Sequence, residues 1–194
     1  IGTAVLLGED GALAVRGSIL HMVNHSLVKL ALFMTAGVVF MNAHELGLND
    51  IRGFGRKKPL LRFVFLMGAL GICGVPFWNG YVSKTLLHEA ILECGAPLRG
   101  VEWIFLISGG LTVAYMLKLY ICIFAEKNAS TAVQKKFDAQ RGKYMNGTGA
   151  AALTFSAALL PFLGFLPNAV MGRLADMGQT IWKVGASPTV RWFS

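Results

Sequence analysis

Residues 18–33 read Ser18-Ile19-Leu20-His21-Met22-Val23-Asn24-His25-Ser26-Leu27-Val28-Lys29-Leu30-Ala31-Leu32-Phe33. The segment is apolar enough to lie in a membrane, yet it carries two histidines and a lysine at intervals of four. On a helix, His21, His25 and Lys29 spread over about 80° of one face and rise about 6 Å per step. An ionisable side chain at the centre of a membrane helix costs about 2.5–3.5 kcal/mol, so such groups tend to mark ion paths. Loss of hydration brings a buried ammonium toward exchange at neutral pH, and an imidazole titrates there already. His21 and His25 are therefore candidates to pass protons to and from Lys29, with Ser18 and Asn24 orienting water between them. Two other readings stand beside this one. Each polar group can simply bond to a neighbouring helix, or the His-x3-His spacing can hold a metal, although no carboxylate sits at a helpful offset.

Composition sets the class. Of 194 residues, 55% are hydrophobic and 14% charged, against about 25% charged in soluble domains. The expected fold is an all-α polytopic membrane protein, a transmembrane helix bundle with one discontinuous helix. The net charge of +8 resides mainly in short loops, as membrane topology demands, so nucleic acid is not an expected partner. Cys73, Cys94 and Cys122 form no CxxC and read as small apolar residues. The chain begins at Ile1 without a signal-peptide pattern, and the expectation is that it starts inside a longer protein.

Residues 1–8 read as the end of a span, 13–41 as a full span, 60–93 as a broken span, and 101–125 and 145–171 as two more. Residues 172–194 form a tail with an interfacial Trp182/Trp192 pair. The break follows from Gly71, Gly74, Pro76, Asn79 and Gly80. Pro76 has no N–H for the carbonyl of Ile72 and its ring crowds that carbonyl, so two half-helices, Leu60–Gly74 and Tyr81–Glu93, are expected. Loops 52–59 and 126–144 are basic and separated by two crossings. The positive-inside bias places both in the cytoplasm of a cell in whose inner or plasma membrane the protein lies.

Lys84 follows the break. Irregular backbone at membrane depth is tolerated only where protein or water satisfies it, and such joints recur at transporter ion sites. The dipole of a half-helix start opposes a cation there, and the alternative is that Lys84 snorkels to an interface. Lys118 lies late in its span, where snorkelling accounts for it. Glu89 is one position beyond the favourable i,i+4 spacing from Lys84 and is a loose partner at best. His44-Glu45 and His88-Glu89 do not extend to HExxH, and Gly53-Phe54-Gly55 lacks the rest of a nucleotide loop.

At these residues the chain resembles a known family. The run His21 to Lys29, with Leu32-Phe33 and Ala36-Gly37, resembles the signature H-L-x-N-H-A-x-x-K-x-x-L-F-x-x-A-G. That signature belongs to the antiporter-like membrane subunits of respiratory complex I, Mrp-type cation/proton antiporters and energy-converting membrane-bound hydrogenases. Asp50 to Pro59 is similar to the family's D-I-x-G-L-G-x-x-x-P loop. Gly74-Val75-Pro76 and Gly80-Tyr81-Val82-Ser83-Lys84 are similar to G-I-P-P-x-x-G-F-x-S-K, departing at Phe77-Trp78-Asn79, where proline and small residues are common.

The resemblance implies a proton path in which Lys29 is the central lysine, His21 and His25 its relay, and Lys84 the terminal lysine on the broken helix. It implies a cofactor-free, non-redox subunit of a redox-driven complex, partnered by other membrane subunits and the bilayer, moving protons or else sodium. A subunit of an Mrp-type antiporter is the alternative, and a non-conducting scaffold the alternative of another class. Idle buried lysines argue against the scaffold.

Overall fold

In the computed structural model, residues 11–95, 98–142, 144–166, 170 and 172–182 are described. The expected partial span over 1–8, Lys183, Arg191 and Trp192 lie outside them. Every regular element among the described residues is helical, in agreement with the expected all-α membrane bundle. In chain order they are α1 (Ala12–Ala43), α2 (Pro59–Cys73), α3 (Asn79–Glu93), α4 (Arg99–Tyr120), α5 (Thr131–Ala139), α6 (Gly147–Phe165) and α7 (Arg173–Trp182). α1, α6, and α4 together with the π-helical turn Ile121–Ala125 that continues it, are long and apolar enough to cross a membrane.

α1 is the central column. At 1.5 Å per residue its 32 residues run about 48 Å, and α2, α3, α6 and α7 all pack on it. Its buried stripe of Leu20, Asn24, Val28, Ala31, Thr35 and Val39 recurs at three- and four-residue steps. α4 is peripheral: it packs on α2 and α3, and Met116 is the one buried residue of Arg99–Tyr120.

The break falls where Pro76 places it. α2 starts with Pro59 at its first position and ends at Gly74, which takes φ +76°, a conformation glycine adopts without penalty. The N–H groups of Gly74 and Val75 bond to Gly71 and Leu70. Phe77 is also left-handed, at φ +74°, and its ring stacks on Phe165 with centroids 5.3 Å apart. The backbone of Phe77 and Trp78 rests against Gly164 of α6, where a Cβ would collide. α3 then starts at Asn79, and Gly80 meets the backbone carbonyl of Gly71, so a side chain at Gly80 would push the half-helices apart.

Two helices lie where only loop or tail was expected. The 126–144 segment contains α5, capped by Ser130, whose Oγ accepts from Val133 N–H at 3.4 Å, and seated by buried Phe137. The 172–194 tail contains α7, whose Asp176 pairs with Arg16 of α1 at 2.9 Å and whose Ala175 is buried. Both helices are short and polar on one face, so average hydropathy hides them.

The two basic loops meet at one end of the bundle. Gly53 N–H and Gly55 N–H bond to the carbonyls of Cys122 and Ile123 at 2.9 Å each, within the π-helical turn. Asn128 donates to the carbonyls of Asn49, Asp50 and Arg52. Lys57 pairs with Asp138 at 2.8 Å, and that ammonium holds the Asp138 carboxyl below its ordinary range. Lys58 is fully buried. Its Nζ donates to Phe54 O at 2.8 Å and Phe137 O at 3.0 Å and lies 3.9 Å from the Phe54 ring centroid. Burial lowers its pKa to about 8, with Asp138 pulling the other way.

Candidate functional site

The freed carbonyl of the broken helix has an owner. Ile72 O, which Pro76 leaves without its helical donor, accepts from Lys84 Nζ at 2.7 Å. Gly74 makes the approach possible, since a Cβ there would stand 2.8 Å from Lys84 Cδ. The break and the lysine are thus one unit: the proline creates an acceptor and the glycine clears the way to it.

α1 supplies the facing groups. The His21 and His25 rings stack with centroids 5.5 Å apart. His21 Nδ1 lies 3.2 Å from Ser83 Oγ, next to Lys84 in sequence, and the Ser83 hydroxyl donates to Gly80 O at 3.3 Å. His21, His25, Ser83 and Lys84 line one cavity of about 350 Å³. Its α4 wall includes Ser108, Thr112 and Tyr115, whose hydroxyls offer partners to water.

Asn24 lines the same cavity and also ties two helices together. It is buried, and its Nδ2 donates to Asn79 O at 2.7 Å while its Oδ1 accepts from Asn79 Nδ2 at 3.2 Å. This clasp joins α1 to the first residue of α3, because the unwound joint leaves polar groups that water cannot reach. In the sequence Asn79 stood out as one of the residues of the break and as a departure from the family pattern. Its reciprocal bond needs the tertiary arrangement to be seen.

Lys29 stands apart. It is exposed on α1, with Nζ 5.8 Å from the Phe33 ring centroid, and it lines a second cavity of about 380 Å³ between α1, α2 and α4. The stripe is therefore divided: His21 and His25 face Lys84, and Lys29 faces the next cavity. Ile72 and Tyr115 line both and form the wall between them. Among the described residues no ion pair joins Glu89 to Lys84, whose ammonium is held by Ile72 O. Lys118 is exposed and lines a surface cleft with Arg52 and Glu126, at the basic end of the bundle. No group of three or more potential metal ligands exists among the described residues.

The described residues thus form a bundle of apolar helices in which a lysine, bonded to the carbonyl at a proline break, shares a cavity with two histidines. The chain belongs to the NADH:quinone oxidoreductase/Mrp antiporter transmembrane family, whose model matches residues 3–112. Relatives in Staphylococcus aureus strains USA300 / TCH1516 and COL, each named "Putative antiporter subunit mnhA2", are 31% identical over 130 residues. That stretch is 62% of this chain and 16% of each relative. The chain thus spans about a sixth of the length of those relatives. The matched residues belong to the membrane-embedded part of that family.

Proposed function

We propose that this chain carries protons through the membrane interior along His25, His21 and Lys84, with Lys29 serving the adjoining cavity, inside a complex of several membrane subunits. The observation that carries the reading is Lys84 Nζ on the Ile72 carbonyl at the wall of the cavity that His21 and His25 line. A proton enters an imidazole on one ring nitrogen and leaves from the other, while water bridges gaps too long for one hydrogen bond. Lys84 closes the line: as ammonium it holds Ile72 O, and as amine it can accept the next proton. No cofactor is needed for any of these steps, and sodium is the alternative ion.

The driving force has two readings. In the first, an oxidoreductase module in a neighbouring subunit powers the movement. In the second, an opposing ion gradient does, and the relatives' name as an antiporter subunit supports this one. Full-length complex in sealed vesicles separates them: proton movement on addition of electron donor supports the first, and movement on an imposed sodium gradient alone supports the second. Lys29→Ala is expected to reduce proton flux strongly with assembly intact, and His25→Ala more mildly, since water can bridge its gap. Unchanged flux in Lys29→Ala would remove that lysine from the path. The basic end of the bundle is assigned to the cytoplasm by its excess of lysine and arginine.

A further inference from the structure

Lys84 is not the last ionisable group on its helix face. His88 stands one turn further along α3, about 6 Å on. Its ring stacks on Phe105 of α4, with centroids 5.8 Å apart and planes 4° apart, and its Nε2 faces Glu102 Oε1 at 3.6 Å. Both side chains are partly open, at 31% and 28% exposure. Phe105 and Leu87 line the Lys84 cavity, so the pair lies behind the cavity wall. Glu102 sits in the first turn of α4, and about 34 Å of helix separates it from Ala125 at the basic end. The pair therefore lies toward the other membrane face. Beside the Phe105 ring, the contact between α3 and α4 here includes a titratable imidazole and a carboxylate.

We infer that His88 and Glu102 form the port by which protons pass between the Lys84 cavity and the membrane surface opposite the basic loops. The inference rests on the proposed relay. A proton leaves the Lys84 ammonium, which becomes an amine. The His88 imidazole gains it on one ring nitrogen and gives one up from the other. The Glu102 carboxylate accepts that proton and releases it to water, and no other bond is made or broken. Phe105, stacked on His88 and lining the cavity, is the plug whose tilt admits water.

The test uses the full-length subunit in its assembled complex, reconstituted in vesicles, with His88→Ala, Glu102→Gln and Lys84→Ala compared at equal assembled protein. The expected result is a fivefold or larger loss of proton flux in His88→Ala and in Glu102→Gln. Imidazole supplied on the side opposite the basic loops is expected to restore at least half the lost flux of His88→Ala. Wild-type flux in both port variants, with Lys84→Ala inactive, overturns the port and leaves the relay standing. A His88→Ala loss that imidazole does not restore makes the pair an interhelical staple and also overturns the port. Full flux in Lys84→Ala would instead sink the relay reading itself.

Discussion

Lys84 and Gly74 depend on each other. Gly74 sits at φ +76°, and the stem of Lys84 runs past the place where a Cβ would be. Gly74→Ala combines left-handed strain of about 1–2 kcal/mol with displacement of the lysine from Ile72 O. Proton flux is expected to fall by more than the modest stability loss explains, and flux together with thermal unfolding of the same complex checks this. The Asn24–Asn79 clasp gives a contrasting case. Asn24→Leu leaves a buried carbonyl and amide without their partner and is expected to cost about 2–4 kcal/mol. Its flux should drop in step with loss of assembled protein, because Asn24 positions the half-helix and carries no proton.

At the scale of the element, the broken helix was legible in the sequence because proline and glycine act locally. Pro76 had to orphan Ile72 O, and the structure differs from expectation by only a residue or two at either end. The partner of that carbonyl was not legible, since Lys84 lies twelve positions on and reaches it only once α3 folds back. Phe77 at φ +74° was hidden for the same reason: its strain is held by Phe165 and Gly164, far along the chain. α5 and α7 escaped because their burial depends on Phe137 and Ala175 finding partners in distant elements.

The docking of α5 yields a prediction of its own. Lys58→Ala removes the donor to two buried carbonyls and is expected to destabilise the loop by about 2–4 kcal/mol. Limited proteolysis at the 126–144 segment would detect it. The pH dependence has a definite sign. The Lys58 pKa falls from 10.5 to about 8 on burial, so between these values the unfolded chain binds more protons on this group. Its contribution therefore favours the docked loop increasingly as pH rises from about 8 to 10.5. Protection from proteolysis should increase over that window in wild type, and Lys58→Met should abolish the dependence.

At the scale of the molecule, the divided stripe is what the structure changes most. The spacing of His21, His25 and Lys29 implied one continuous face. The fold places the histidines in one cavity and Lys29 in the next, with Ile72 and Tyr115 between. Ile72 is thus both the wall and, through its carbonyl, the seat of Lys84. Movement of Lys84 off that carbonyl would alter the contact that separates the cavities, which couples one lysine to the environment of the other. Tyr115→Phe keeps the ring and loses the hydroxyl; a two- to fivefold fall in flux at unchanged assembly is the expected result.

The most direct test of the central claim, that protons cross by way of Lys84 on the broken helix, is proton flux through full-length complex carrying Lys84→Met in sealed vesicles. Methionine keeps much of the stem and its packing but cannot carry a proton. The account predicts flux at least tenfold below wild type, with equal assembled protein. Wild-type flux from that variant would contradict it.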